Sequence, residues 1–288
     1  MPSEDILSKP QPGFDERVAY GADASQFIDV RLPRVDGART DAARTETARP
    51  AIGQSNPRQS EPGESGLLRA AVINIHGGYW RTKYDLAHAG HLCEALRGAG
   101  LATFNVEYRR VGNAGGGWPG SFEDVRAAYR LVTQQAARFR VDAGRIAVMG
   151  HSAGAQLAVC LAAHEERVRS VISLAGVLDL KKAYALHLSD DAVVEFLGGK
   201  PDAVPEHYRE ADPMEVEVAR ARQWVVVGKD DEVVPPEFSR EYVRWKTSGG
   251  RRENVELVEI ARAGHFELID PSAAAFARVR RVVVGATG

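Results

Sequence analysis

Short strand-like runs alternate with amphipathic helical patterns along most of the chain. In chain order the runs are QFIDVRLP (26–33), AAVINI (70–75), LATFNVEY (101–108), RIAVMG (145–150), VRSVISLAG (168–176), QWVVVG (223–228) and VELVEI (255–260). Helical patterns lie between them at 85–100, 122–139 and 153–164, and a last one follows Pro271. Most of the runs are apolar on both faces. The pattern therefore predicts an α/β fold, with a mostly parallel sheet covered by helices on both sides.

Two segments interrupt this alternation. Residues 34–66 are rich in Arg, Thr, Glu, Gly and Pro, and Val35 and Ile52 are their only large apolar residues. Because such a segment buries too little apolar surface to offset its ordering entropy, we predict a disordered insertion there. Residues 177–222 have an irregular helical pattern, and we predict that they form a small cap. Apart from this insertion and this cap, the sequence predicts a single domain over residues 1–288.

The composition is that of an ordinary globular protein. Of the 288 residues, 44% are hydrophobic and 26% are charged, and the formal net charge is -2. There is no basic stripe for nucleic acid and no apolar run as long as a membrane span. The acidic start, MPSEDILSKP, lacks the pattern of a signal peptide, so we expect a cytoplasmic protein. Cys93 and Cys160 lack the spacing of a metal or redox site and are expected to be buried free thiols.

The strand RIAVMG runs directly into GHSAG at residues 150–154. A serine at such a strand-to-helix turn is held exposed in a strained conformation, and the flanking glycines avoid clashes. In a parallel sheet this turn lies at the carboxyl edge, where sites form. Ser152 is therefore the candidate nucleophile, and it needs a base and an acid that orients the base.

His265 is the candidate base because it lies in the loop after VELVEI, the last predicted strand. His151 adjoins the serine but is expected to point elsewhere from the turn. His88 and His91 lie three residues apart on a predicted helix. No third ligand accompanies them, so we read them as ordinary helix residues and predict no metal site.

The orienting acid is expected between the serine and the histidine in chain order. The loop after QWVVVG offers Asp230 and Asp231. The acid is expected three residues after the glycine and three residues before a small apolar residue, and Asp231 has this spacing from Gly228 and Val234. We assign Asp231 as the acid. Asp230 is the first alternative, and Asp179, which also follows a strand, is the second.

Acyl transfer also requires backbone donors for the oxyanion of the tetrahedral intermediate. The N–H of Ala153, directly after the candidate nucleophile, is one candidate. Gly77 and Gly78 of HGGYW (76–80) are the others, since glycines after a strand let the backbone approach a substrate closely. Tyr79 and Trp80 are either core anchors or possible substrate contacts. Such a site needs no cofactor.

The motifs HGGYW, GHSAG, GKDDEVV and GHF, in this order, resemble those of the α/β-hydrolase superfamily from residue 68 onward. Within it, the form H-G-G-x-W resembles kynurenine formamidases (arylformamidases) and related small-acyl carboxylesterases. The resemblance implies the α/β-hydrolase fold with an eight-stranded, mostly parallel sheet. It also implies a triad of Ser152, Asp231 and His265. The insertion at 34–66 departs from the family, because that connection is usually shorter and less polar.

The leading hypothesis is a serine hydrolase that cleaves short-chain or aryl carboxylic esters through an acyl-enzyme. An arylformamidase, which would hydrolyse amides of the N-formyl-kynurenine type, is the alternative. A peptidase of this fold usually carries a propeller or large cap, for which the chain is too short. A non-catalytic binding member usually lacks a triad residue or an oxyanion donor, and this chain has all of them. The expected partner is a small-molecule ester or formamide, with no nucleic acid and no membrane, and no oligomeric state is predicted.

Overall fold

An eight-stranded sheet forms the centre of the computed structural model, which describes residues 4–34, 68–251 and 253–288. The strands are β1 (Glu16–Ala19), β2 (Phe27–Arg31), β3 (Arg69–Ile75), β4 (Ala102–Val106), β5 (Val141–His151), β6 (Ser170–Leu174), β7 (Arg222–Gly228) and β8 (Val255–Ile260). They lie in the order β1-β2-β4-β3-β5-β6-β7-β8. Strands β3 to β8 are parallel to one another, and β2 is antiparallel to both β1 and β4. The predicted eight-stranded, mostly parallel sheet is confirmed.

Helices cover both faces of the sheet. They are α1 (Gly90–Gly98), α2 (Gly120–Gln134), α3 (Ala153–His164), α4 (Leu180–Ala185), α5 (Ala192–Leu197), α6 (Pro205–Ala211), α7 (Glu237–Lys246) and α8 (Phe276–Ala286), with short 3-10 turns at Glu4–Leu7, Leu86–Ala89 and Phe266–Leu268. Side chains of β3 alternate between the two faces, as strand geometry requires. Ala71, Ile73 and Ile75 belong to the core that includes α2 and α3, whereas Ala70 and Val72 belong to the core that includes α1 and α8.

The register of the strands brings four loops to one edge of the sheet. Ile75, at the end of β3, pairs with Gly150 near the end of β5. β7 and β8 also end together, with Gly228 opposite Ile260. The loops that leave these strand ends carry HGGYW, GHSAG, the candidate acids Asp230 and Asp231, and the candidate base His265. All of them therefore meet at the carboxyl edge, where parallel sheets form their sites.

The turn from β5 into α3 depends on two glycines. A Cβ on Gly150 would lie 2.1 Å from the carbonyl oxygen of Gly154, and a Cβ on Gly154 would lie 2.2 Å from the carbonyl oxygen of Ile75. Both of these carbonyl oxygens belong to the backbone, so they cannot move without displacing a strand or a helix. Only glycine therefore allows α3 to start this close to β3 and β5.

The segment between β6 and β7 contains α4, α5 and α6, within the predicted cap at 177–222. It contacts the loop after β3 through Trp80 and Arg81. Phe196 of α5 stacks on Trp80 with 4.4 Å between the ring centroids. Glu195 pairs with the Arg81 guanidinium at 2.7 Å. These contacts hold part of the segment beside the carboxyl edge of the sheet.

Cys93 and Cys160 are both free and buried, as predicted. In the ranges that the structure describes, no helix is long and apolar enough to cross a membrane. The predicted insertion at 34–66 lies outside the described residues, apart from Arg34.

Gly154→Ala is expected to destabilise the fold, because the new methyl group would overlap backbone carbonyl oxygens of Ile75 and His76. Overpacking of this kind costs about 1–3 kcal/mol. Gly285→Ala in α8 is the matched control, because nothing lies within 4 Å of a Cβ built there. In a helix, alanine is more stable than glycine by about 0.5–1 kcal/mol. Urea unfolding of both variants measures the two changes, and a Gly154→Ala variant as stable as the parent protein would contradict this account.

Candidate active site

Ser152 occupies the tip of the turn between β5 and α3. Its φ of 55° and ψ of -122° lie in a region that residues with side chains rarely adopt, at a cost of about 1–3 kcal/mol. The backbone around it is firmly held, since the Ser152 N–H donates to the carbonyl of Leu174 at 2.8 Å. The turn presents the serine to a cavity of about 330 Å³ at the carboxyl edge.

His265 and Asp231 are joined by a buried hydrogen bond. His265 Nδ1 lies 2.8 Å from Asp231 Oδ2, and the two side chains are 3% and 0% exposed. The other carboxylate oxygen, Asp231 Oδ1, accepts from the N–H groups of Val233 and Val234, each at 2.9 Å. Because the carboxylate accepts, Nδ1 carries a proton, and Nε2 of a neutral imidazole is left as the acceptor.

The two alternative carboxylates lie in other surroundings. Asp230 is exposed, and its N–H donates to the carbonyl of Ala263. Asp179 caps α4, where its side chain accepts from the N–H of Lys182 at 2.8 Å. Of the three candidates, Asp231 is the one whose carboxylate contacts His265.

Ser152 and His265 both line the 330 Å³ cavity. In the described part of the chain, no hydrogen bond joins Ser152 Oγ to the His265 ring, so the two side chains share the cavity without being bonded to each other. Hydrogen bonds of this kind are often long in the free form of an enzyme and shorten when a substrate binds. A serine hydroxyl and an imidazole held by a carboxylate thus face one cavity.

The HGGYW loop lies directly against the candidate nucleophile. A Cβ on Gly77 would lie 2.9 Å from Ser152 Cβ, and a Cβ on Gly78, whose φ is 114°, would lie 2.7 Å from Tyr84 Cβ. Among the described residues, the N–H groups of Gly77 and Gly78 donate to no protein acceptor. Ala153 begins α3, where the first N–H groups have no partner within the helix. Of the three predicted donors, Gly77 and Ala153 thus adjoin Ser152, and Gly78 lines the same cavity.

Tyr79 and Trp80 are adjacent in sequence but separate in space. Tyr79 lines the cavity, and its hydroxyl donates to the carbonyl of Val233 at 3.0 Å. Burial and the nearby charge of Asp231 raise the pKa of Tyr79 to about 12. Trp80 is 1% exposed and donates from Nε1 to Gln156 at 3.0 Å. Trp80 therefore anchors the core, and the structure does not support it as a substrate contact.

Two histidines to which the sequence assigned no role also line the cavity, His151 and His88. The ring of His151 is 4.5 Å from that of His265, and its Nε2 donates to the backbone carbonyl of His265 at 3.1 Å. Burial and then the His265 ring lower the pKa of His151 well below its usual value. Burial and then His76 lower the pKa of His88 to about 3. Both rings are therefore neutral near pH 7.

The far wall of the cavity comes from the loop between α4 and α5. Ser189 and Asp190 line the cavity there. Arg81 holds this loop, because its guanidinium donates to the carbonyl of Ser189 at 2.8 Å and to that of Asp190 at 3.1 Å. No sequence motif signals these residues, since the contact joins segments more than a hundred residues apart.

Among residues 4–34, 68–251 and 253–288, no group of three or more His, Cys, Asp or Glu side chains is arranged to hold a metal ion. His91 lies on α1, and His88 lies on the 3-10 turn before it. Among these residues, no third possible metal ligand accompanies the two histidines.

Among curated proteins, the chain resembles esterases. It is 26% identical to Esterase LipC of Mycobacterium tuberculosis over 221 residues, which are 69% of this chain and 53% of LipC. It is 33% identical to Neutral cholesterol ester hydrolase 1 of Rattus norvegicus over 109 residues, which are 36% of this chain and 25% of that protein. The chain thus spans between a quarter and about half the length of these curated relatives.

Solved structures of esterases share the fold over most of this chain. A truncated form of a carbohydrate esterase from gut microbiota has a TM-score of 0.72 at 20% identity, and the match covers 99% of each chain. The esterase Est2 of Thermogutta terrifontis has a TM-score of 0.65 at 22% identity, and the match covers 94% of this chain and 90% of Est2. At these identities the likeness shows the fold.

A family comparison matches residues 61–245, more than half of the chain, to the model named BD-FAE. The match includes HGGYW, GHSAG and Asp231 and ends before His265. The sheet order, the loops gathered at its carboxyl edge and the solved esterase structures agree with this assignment. The chain belongs to the BD-FAE family and has the α/β-hydrolase fold.

Proposed function

We propose that the protein is a serine hydrolase that cleaves carboxylic esters through an acyl-enzyme. The observation that carries this proposal is the buried hydrogen bond between Asp231 and His265, in the same cavity as a serine on a strained turn. In this proposal Ser152 is the nucleophile, His265 the general base and Asp231 the acid that orients it. The family and the esterase relatives support ester hydrolysis.

The proposed reaction has two halves. Ser152 Oγ attacks the ester carbonyl carbon, and its proton passes to His265 Nε2. The oxyanion of the tetrahedral intermediate accepts hydrogen bonds from the N–H groups of Gly77, Gly78 and Ala153. The imidazolium then returns the proton to the departing alcohol, which leaves an ester on Ser152. A water molecule, deprotonated by His265, releases the acid by the same steps in reverse.

We further propose that the substrate carries a short acyl chain or an aryl group. The cavity is only about 330 Å³, so a long chain would project into water and gain little burial energy per methylene. Its lining includes the rings of Tyr79, Tyr84 and Phe266, against which an aryl group can pack. These features support small acyl and aryl esters over long-chain lipids.

Aryl formamide hydrolysis stays the alternative, on the resemblance of HGGYW to kynurenine formamidases. The same nucleophile and donors would serve it, since a formamide also passes through a tetrahedral oxyanion. A non-catalytic binding role is the third possibility, and it predicts no turnover of any ester or formamide.

Asp231→Asn is expected to lower kcat/KM for p-nitrophenyl acetate by roughly 10³–10⁴-fold, because an amide stabilises the wrong tautomer of His265. Asp230→Asn is the matched control. It makes the same change one residue away on an exposed side chain, and kcat/KM should stay within about threefold of the parent value. Steady-state kinetics of both variants, with circular dichroism to verify folding, provide the measurement. Equal losses in the two variants would contradict the role of Asp231.

Among p-nitrophenyl acetate, butyrate and decanoate, kcat/KM should be lowest for the decanoate, because the cavity cannot enclose its chain. N-formyl-kynurenine, assayed beside them, measures the formamidase alternative directly. Fastest turnover of the decanoate would refute a small acyl site. Turnover of the formamide faster than that of every ester would replace the esterase proposal with the arylformamidase.

A further inference from the structure

The loop between α4 and α5 has a strained backbone over residues 187–191. Four of these residues have a left-handed φ, namely His187 at 50°, Ser189 at 50°, Asp190 at 52° and Asp191 at 57°. Aspartate tolerates this region better than most residues, but it does so singly and not in runs. Such a conformation persists only where the surrounding structure imposes it. The strained loop therefore needs a contact from outside to keep its shape.

The Arg81 guanidinium supplies that contact. Its Nη1 donates to the carbonyl of Ser189 at 2.8 Å and to the Ser189 hydroxyl at 3.2 Å, and its Nη2 donates to the carbonyl of Asp190 at 3.1 Å. Its Nε donates to Glu195 of α5 at 2.7 Å. Hydrogen bonds from a charged donor are stronger than those between neutral groups. One planar group thus holds the middle of the strained loop and the helix that follows it.

The backbone of Arg81 is itself fixed to the loop after β3. Its N–H donates to the carbonyl of Gly78 at 3.1 Å, and the residue forms an isolated β-bridge with Val111. The N–H of Val111 in turn donates to the carbonyl of Trp80 at 2.8 Å. Arg81 therefore starts from a rigid position beside the HGGYW loop, and its side chain reaches across to the cap.

The segments on either side of the two wall residues are anchored as well. Before them, the N–H of Leu188 donates to the carbonyl of Ala183 at 3.0 Å. After them, the carbonyl of Phe196 accepts from the N–H of Trp118 at 2.7 Å. Loss of the Arg81 contact would therefore move the cavity wall and leave α4 and α5 in place.

We propose that Arg81 is a specificity-determining residue, which holds the strained loop against the cavity and thereby limits the length of the substrate chain. This inference rests on the proposed function. While Arg81 donates to the loop, Ser189 and Asp190 bound the cavity at about 330 Å³. When these bonds break, the backbone relaxes out of the left-handed region and the cavity widens on the side of the cap. A longer chain is then enclosed there and gains burial energy.

Hydrogen exchange tests this hold without any assay of activity. Arg81→Gln removes the guanidinium, and glutamine is too short to reach both carbonyls. The N–H groups of Leu188 and Ala192 donate to the carbonyls of Ala183 and Leu188, so they report whether the loop is closed. We expect both to exchange about tenfold faster than in the parent protein, because local opening becomes easier. Exchange at the parent rate would overturn the proposal.

Glu195→Gln is the matched control. It removes the ion pair made by the same guanidinium but retains the bonds from Arg81 to the two loop carbonyls. Glu195 is 48% exposed and lies outside the cavity lining formed by the described residues, and an exposed pair of this kind adds little stability. Exchange at Leu188 and Ala192 should stay within about twofold of the parent rate. Equal acceleration in both variants would mean that the ion pair holds the segment, and the proposal would fail.

Ser189→Val tests the strain itself while Arg81 stays in place. A β-branched residue is more strongly disfavoured at a left-handed φ than alanine is. The reporting N–H groups should therefore exchange faster in Ser189→Val than in Ser189→Ala, since both variants lack the hydroxyl and differ in the cost of the backbone conformation. Equal exchange in these two variants would show that the loop is not strained at this position and would overturn the proposal.

The role in specificity is measured as the ratio of kcat/KM for p-nitrophenyl decanoate to kcat/KM for p-nitrophenyl acetate. We expect this ratio to rise roughly tenfold in Arg81→Gln and to stay within about twofold of the parent value in Glu195→Gln, with thermal unfolding to verify folding. Faster exchange with an unchanged ratio would overturn the proposal, because the loop would move without limiting the substrate. If the parent protein hydrolysed no ester, the proposed function would fail, whereas the exchange rates would still report how firmly Arg81 holds the loop.

Discussion

The approach of α3 to the backbone of β3 is the contact on which the rest of the site depends. At Gly154 the helix lies so near the carbonyl oxygens of Ile75 and His76 that no side chain fits between them. This contact fixes the start of α3 and the end of β3 relative to each other. The nucleophile candidate on one side and the HGGYW loop on the other are thereby held together, with Gly77 against Ser152. Rigid placement of donors before the reaction is what electrostatic stabilisation of an oxyanion requires.

Charge around the site follows a simple pattern. Each of two buried carboxylates contacts one histidine: Asp231 contacts His265, and Glu107 contacts His76 of the HGGYW loop. His88 and His151 line the cavity, and burial keeps both rings neutral. The His151 ring, which adjoins that of His265, therefore adds no positive charge beside it.

Most of the fold was predictable from sequence because long apolar runs determine parallel strands buried on both faces. The first strand, Glu16–Ala19, was missed because it is a short edge strand whose residues are mostly exposed. Asp231 could be preferred over Asp230 from the loop spacing. The separation of Tyr79 and Trp80 could not be predicted, since it depends on two consecutive left-handed residues, with φ of 49° and 57°.

The remaining parts of the site come from tertiary packing, which leaves no local signature. His151 is the last residue of β5, and only the position of the loop after β8 brings the His265 ring against it. The wall formed by Ser189 and Asp190 depends on Arg81, far away in sequence. For the same reason the pairing of His76 with Glu107, which joins the ends of β3 and β4, required the structure.

The central claim is that Ser152 becomes covalently modified during catalysis. The most direct measurement is mass spectrometry after treatment with an alkyl fluorophosphonate, which forms a stable phosphonyl ester with an activated serine. The account predicts one adduct per chain, mapped to Ser152, that abolishes hydrolysis of p-nitrophenyl acetate and is absent from Ser152→Ala. An adduct on another residue, or ester hydrolysis that persists when Ser152 is fully modified, would contradict it.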